Sequence, residues 1–262
     1  MARLCEGRVA IVTGGARGVG REHCLMLAEH GAKVIVNDLG GDRAGKGHDV
    51  GPAQQVVNEI KAKGGEAVAN GDDVSDWNGA KRMIDQAVST FGKLDAVVLN
   101  AGILRDRMLV NMSEDEWDAV IKVHLKGTFA PARHAAAYWR DKAKETGAPV
   151  DARIVTTTSV SGIYGNVGQT NYTATKAGVA AMATTWAKEL ARYGIRTGAI
   201  APGFCATEIL SSMAPETLAK VTAPVPLKRL GEPAEVAQTA LFIVENDFFT
   251  GRTIYTDGGL RM

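Results

Sequence analysis

Apolar and polar positions along this chain follow two alternating periods. Short β-branched runs at Val9–Thr13, Lys33–Asn37, Glu66–Asn70, Leu94–Leu99, Arg153–Thr158, Arg196–Ile200 and Thr253–Tyr255 predict strands. Longer stretches between them carry apolar residues three or four apart. Met83, Ile84, Ala87, Val88 and Phe91 share one such helical face, which stops at Gly92, a residue suited to the position past a helix end. In "SEDE", Ser113 and Glu116 have the spacing of a capping box that opens another helix. Strands that alternate with helices pair in parallel, because a crossover helix must return the chain to the same end of the sheet. The pattern therefore predicts one α/β domain over residues 1–262. Its expected form is a doubly wound Rossmann fold, a seven-stranded parallel sheet with helices on both faces. Three stretches interrupt the rhythm and read as long connections: the Gly-rich 40–51, the charged 140–149 and the Pro-bearing 205–231.

Composition narrows the class of partner. Lys+Arg (30) and Asp+Glu (29) balance, which removes the electrostatic case for nucleic acid or an anionic membrane and leaves a small molecule. No apolar run approaches the ~20 residues that span a bilayer. The N-terminal "MARLCEGRVAIVTGG" enters a strand pattern without a signal-peptide core, so a cytoplasmic protein is expected. Cys5, Cys24 and Cys205 are odd in number and widely spaced, which suits reduced, structural thiols better than a disulfide framework or a zinc site.

Chemistry first shows in "VAIVTGGARGVGREH", where Gly14, Gly18 and Gly20 follow a strand and open a helix. Glycines there let the backbone approach a pyrophosphate, and the helix start supplies free N–H groups. The hydroxyl-rich "TTSVSGIYGNVGQTNYTATK", residues 157–176, is the second signal. Residues four apart share a helix face, so the Lys176 ammonium can approach Tyr172. A free phenol titrates near ~10, and a neighbouring cation lowers that value, so Tyr172 is a candidate acid or base. Ser159, just beyond a strand, can hydrogen-bond the substrate oxygen while Tyr172 exchanges the proton.

With these motifs in order, the chain resembles the short-chain dehydrogenase/reductase family, whose glycine motif is TGxxxGxG. The resemblance runs from Val9 to "TDGG" at 256–259. It implies a nicotinamide dinucleotide held by Gly14, Arg17, Gly18, Val19, Gly20, Asp38, Asp73, Val74, the "NAG" Asn100, Ala101 and Gly102, Tyr172, Lys176, Pro202, Gly203 and Thr207. Asp38, at the end of the second strand, is suited to ribose hydroxyls and opposes a 2′-phosphate, so NAD is expected over NADP, although Arg17 pulls the other way. His124 stands where the family usually has asparagine. The expectation here is a proton relay, on the ground that histidine exchanges protons near neutrality.

"NDLGGD", "NAGILRDR", "VHLKGTF" and "SGIYGN" are similar in turn to the (3R)-hydroxyacyl-CoA dehydrogenase units of type 2 multifunctional enzymes, also classed with 17β-hydroxysteroid dehydrogenases. That likeness implies a secondary alcohol on a 3-hydroxyacyl-CoA or a steroid, here on a stand-alone chain. The wider family likeness favours a homotetramer, with a dimer next. Residues 205–231 read as a substrate lid, and Arg105, Arg107, Lys228 and Arg229 as candidates for CoA phosphates. Two other readings stay open: an NADPH-dependent 3-oxoacyl-carrier-protein reductase, and a catalytically silent dinucleotide sensor or scaffold.

Overall fold

The computed structural model describes residues 3–42, 44–207 and 214–260. Seven parallel strands stand in the order β3-β2-β1-β4-β5-β6-β7. They are β1 Val9–Thr13, β2 Lys33–Asn37, β3 Ala67–Asn70, β4 Ala96–Leu99, β5 Ala152–Thr157, β6 Ile195–Pro202 and β7 Arg252–Thr256. Every predicted strand is present, with ends shifted by no more than two residues. The order reverses between β1 and β4, which opens a crevice at the carboxyl ends of those strands.

Alternation along the strands sends residues to two cores. Ala10 and Val12 of β1, Val34 and Val36 of β2, and Ala96 and Val98 of β4 face one side. There they meet α1 (Gly18–Glu29), α2 (Gly51–Ala62) and α9 (Pro233–Glu245) through Leu27, Ile60 and Ile243. Val9, Ile11, Ile35, Val97 and Leu99 face the other side. On that side lie α3 (Trp77–Phe91) and α5 (Gly127–Thr146), with Met83, Ala135 and Trp139 in the core. Both faces of the sheet are thus dry, as a parallel sheet requires.

The capping box is present at the start of α4 (Glu114–Ile121), with Ser113 and Glu116 bonded reciprocally, and α3 ends at Gly92. A π-helical turn, Lys122–Lys126, joins α4 to α5 and holds His124 in its middle. Residues 140–149 correct the sequence expectation. They are no connection through most of their length, because α5 continues to Thr146 before Gly147 ends it at φ 69°. Asp141, Lys142, Lys144 and Glu145 are exposed while Trp139 and Ala143 are buried, so the charge run is the solvated face of a helix. Residues 40–42 and 44–50 form the expected loop, and α2 begins at its end.

The 205–231 excursion is closed at its neck. Cys205 and Gly231 form a parallel bridge, with Ala206 N donating to Gly231 O at 2.8 Å and Gly231 N to Phe204 O at 2.9 Å. Within it lies α8 (Pro215–Thr222); residues 208–213 fall outside the described part. At the opposite, amino end of the sheet, fully buried Arg153 pairs with Asp151 (2.6 Å) and Asp247 (2.9 Å), which Arg196 also joins. Among the described residues no helix is long and apolar enough to cross a membrane.

Candidate active site

The crevice is lined first by the glycine turn between β1 and α1. A Cβ on Gly20 would lie 1.8 Å from Gly14 O, and Gly14 itself sits at φ 63° with the Ala101 backbone 2.9 Å from its Cβ position. Only glycine satisfies both contacts. Asn100 secures this approach by donating from Nδ2 to Thr13 O and Gly14 O, both at 3.3 Å, while Asn100 N and Ala101 N donate to Thr13 Oγ1. The bare backbone at a helix start is a cradle that fits the pyrophosphate of a dinucleotide. Thr207 closes over it, its Cγ2 3.6 Å from the Cβ position of Gly18.

Asp38 stands at the end of β2 as expected. Its Oδ2 accepts from Ala16 N at 3.0 Å and its Oδ1 from Gly40 N at 2.8 Å, which fixes the carboxylate against the turn. Arg17 reaches Gly41 O at 3.3 Å, so its guanidinium is engaged by the following loop. Asp73 Oδ1 accepts from Ser75 N and Oγ, and Val74 is buried beside it. Pro202 ends β6, and Gly203 N donates to Thr256 O at 3.0 Å.

The second wall carries the hydroxyls. Ser159 caps the short α6 (Val160–Tyr164), its Oγ accepting from Ser161 N at 3.2 Å. Tyr172 and Lys176 lie one turn apart on α7 (Thr170–Leu190), with the ammonium nitrogen 5.5 Å from the phenol ring centroid. The geometry brings the three together and corrects the expected electrostatics. Burial pushes the Tyr172 phenol up to about 12, against a hydrogen bond from Ser159 that lowers it, with the Asp106 carboxylate adding to the rise. Burial pushes Lys176 down to about 7. Its Nζ donates to Thr157 O at 2.6 Å and lies over the ring, so in this arrangement desolvation outweighs the attraction the spacing suggested.

His124 is also corrected in part. Its ring packs edge-on against Tyr172, centroids 5.2 Å apart, and occupies the space that Gly102 leaves; a Cβ there would lie 2.3 Å from His124 Cε1. Burial, helped by the charge of Lys176, pushes it down to about 3, so it is neutral at pH 7 and does not exchange protons by charging near neutrality. Nε2 lies 2.8 Å from Ile103 O and 3.1 Å from Ile103 N, the tautomer deciding which bond forms, and Nδ1 is buried without a partner among the described residues.

Other contacts were not foreseen. Arg105 donates from Nε and Nη2 to Ala44 O at 3.1 and 2.8 Å, Ile103 meets Gly45, and His48 lies against Gly71 O at 3.2 Å. Residues 44–48 thus form a strap from the loop after β3 to the loop after β4. The remaining candidate CoA contacts are engaged within the chain: Arg107 by Glu116, Arg229 by Glu235 and Lys228 by Ala223 O. Cys205 is buried and its thiol is pushed up to about 11, an inert state. No metal-binding cluster occurs among the described residues.

Comparison with known proteins places the chain among reductases and dehydrogenases. A family described as enoyl-(acyl carrier protein) reductase matches residues 14–261. The 3-oxoacyl-[acyl-carrier-protein] reductase FabG of Thermotoga maritima is 39% identical over 257 residues, covering 97% of this chain and 98% of its own. Its namesake from Staphylococcus aureus is 40% identical over 255 residues, with the same coverage. The crystal structure of a short chain dehydrogenase from Mycobacterium avium superposes with a TM-score of 0.81 at 45% identity, covering 98% of this chain and 84% of that one.

Proposed function

We propose that this chain, which belongs to the short-chain dehydrogenase/reductase family of oxidoreductases, interconverts 3-oxoacyl and 3-hydroxyacyl thioesters, with reduction of a carrier-linked 3-oxoacyl group as its first reading. The relatives' names favour this over the hydroxyacyl-CoA or hydroxysteroid reading that the sequence put forward. The observation that carries the proposal is the meeting of Ser159, Tyr172 and Lys176 beside the glycine cradle. A silent sensor has no use for that arrangement.

A bound nicotinamide dinucleotide supplies the hydride, and the rest falls to the chain's own groups. Tyr172 gives its phenolic proton to the substrate oxygen while the Ser159 hydroxyl orients that oxygen. A phenol held near 12 stays protonated at neutrality, which suits a proton donor in reduction. Lys176, brought to about 7, is matched to restoring the proton to Tyr172. His124 supports the Tyr172 ring. Gly14, Arg17, Gly18, Val19, Gly20, Asp73, Val74, Asn100, Ala101, Gly102, Pro202, Gly203 and Thr207 are assigned to the dinucleotide. Asp38 selects NAD, because a 2′-phosphate beside its fixed carboxylate meets like charge.

For the acyl chain there is an apolar rim. Tyr164 and Tyr255 lie 6.4 Å apart, and exposed Met108 and Val167 flank the Arg107–Gly168 hydrogen bond. The 205–231 excursion acts as lid, and the active assembly is a homotetramer or, next, a dimer. Reduction of acetoacetyl-CoA, followed with NADH and with NADPH, tests the reading. NADH turnover that falls about 10²–10⁴-fold in Tyr172→Phe is expected. A clear NADPH preference overturns the Asp38 assignment, parental rates in Tyr172→Phe overturn the acid, and turnover of hydroxysteroids alone overturns the substrate class.

A further inference from the structure

We propose that Asn171 is a positioning residue for Tyr172, the buried node of a zipper that ties the start of α7 to the segment after β4. The inference rests on Tyr172 as the proton donor. Asn171 is completely buried, which for an amide side chain requires that its polar atoms be paired. They are. Both hydrogens of Nδ2 are used, one toward Arg105 O and one toward Glu116 O, each at 3.0 Å, and Oδ1 accepts from Tyr172 N at 2.7 Å. The orientation of the amide is fixed by this set, since a flipped group would face two carbonyls with its own oxygen.

The bonds on either side of Asn171 give it a further role. Residues 105, 106 and 107 are met in reverse order by 171, 169 and 168. Arg105 O accepts from Asn171, Asp106 Oδ2 accepts from Gln169 Nε2 at 2.9 Å, and Arg107 N donates to Gly168 O at 2.8 Å. The path closes on itself through α4, because the Arg107 guanidinium holds the Glu116 carboxylate at 2.9 Å while the Glu116 carbonyl is held by Asn171. Arg105 in turn grips the strap at Ala44. One amide therefore joins the strap's anchor, α4 and the backbone of the proton donor.

Tyr172 occupies the first turn of α7, where N–H groups have no partner within the helix. Gln169, the residue before the helix, gives no side-chain cap. Asn171 Oδ1 takes the Tyr172 N–H instead, so the backbone from which the phenol hangs is set by a side chain anchored in two other segments. A shift of those segments is passed to the backbone of Tyr172 through the Asn171 amide, which its three hydrogen bonds hold in place. The Asp106 carboxylate, which acts on the phenol, is held in the same zipper.

Asn171→Asp tests this, since it keeps the acceptor for Tyr172 N–H and turns both donor bonds into repulsions. Acetoacetyl-CoA reduction is measured across pH, with dinucleotide binding followed by fluorescence and thermal unfolding recorded in parallel. The expected result is a kcat loss of about 10²-fold, as for a misplacement on the order of 1 Å, with KM and the dinucleotide Kd within about threefold. The basic limb of the kcat–pH profile moves with it. Gln169→Ala, which removes the Asp106 bond and the bond from Asn166 Nδ2 while leaving the three bonds of Asn171, is expected to lower kcat about fivefold in the same sense. It decides the matter if Asn171→Asp does not fold. Parental kcat and an unmoved limb in the folded variants overturn the proposal even if the Tm falls, for then Asn171 only stabilises the fold. If Tyr172→Phe is inactive while these variants are parental, the Asn171 inference alone fails; if Tyr172→Phe itself turns over normally, the acid assignment fails first.

Discussion

His23 lies on α1, three residues past the last glycine of the turn, and is completely buried with both ring nitrogens unpartnered among the described residues. Burial alone pushes it from 6.5 to about 4. The unfolded chain therefore takes up this proton below pH 6.5 and the folded chain only below about 4, so in that window the unfolded state holds more protons and stability falls as pH falls. Between about pH 7.5 and 5 this one ring costs the native state about 2 kcal/mol; the full shift corresponds to about 3 kcal/mol. Replacing His23 with Leu removes both the titration and the desolvation of an unpaired polar ring, the latter about 1–3 kcal/mol, offset by whatever shape mismatch the leucine brings. Packing error does not depend on pH, which makes the difference of differences the clean quantity. Urea unfolding of the parent and of His23→Leu at the two pH values is expected to show the variant gaining about 2 kcal/mol relative to the parent at the lower one. Other groups that titrate in the same range, His124 included, cancel between the two proteins. If the gap between the two curves is the same at both pH values, His23 is not held neutral by the fold and the reasoning is wrong.

Two further outcomes bear on the site. Arg105→Ala removes both bonds from the guanidinium to the strap at Ala44, partly exposed and so worth on the order of 1.4 kcal/mol together, and the dinucleotide off-rate in stopped-flow displacement should rise about tenfold. An unchanged off-rate means that the strap at residues 44–48 does not help to retain the dinucleotide. His124→Asn should lower kcat while leaving both limbs of the kcat–pH profile in place, because a ring held near 3 has no charge change to contribute. Displacement of the acidic limb by about half a unit or more would restore the relay reading.

What could be read from the sequence and what could not divide along a physical line. Strands and the first βα turn were legible because their causes are local: alternation fixes which face each β-branched residue takes, and a glycine where a Cβ would meet Gly14 O leaves its mark in the string itself. The charged stretch at 140–146 was misread because a solvated helix face and a connection share a composition, and only the buried Trp139 and Ala143 tell them apart. Tyr172 and Lys176 were found by their spacing, yet the sign of the phenol's shift was not. Spacing encodes that two groups are near, whereas the shift is a balance between that nearness and the burial of both, to which the Asp106 carboxylate, from a distant segment, adds. Asn171 shows the same limit from the other side. Next to the tyrosine it reads as one more polar residue in a hydroxyl-rich run, and its three partners lie one, fifty-five and sixty-six positions away. The residues that do the chemistry are thus local in sequence, while those that set its energetics come from elsewhere in the fold, which is why a motif identifies the proton donor without giving its pKa.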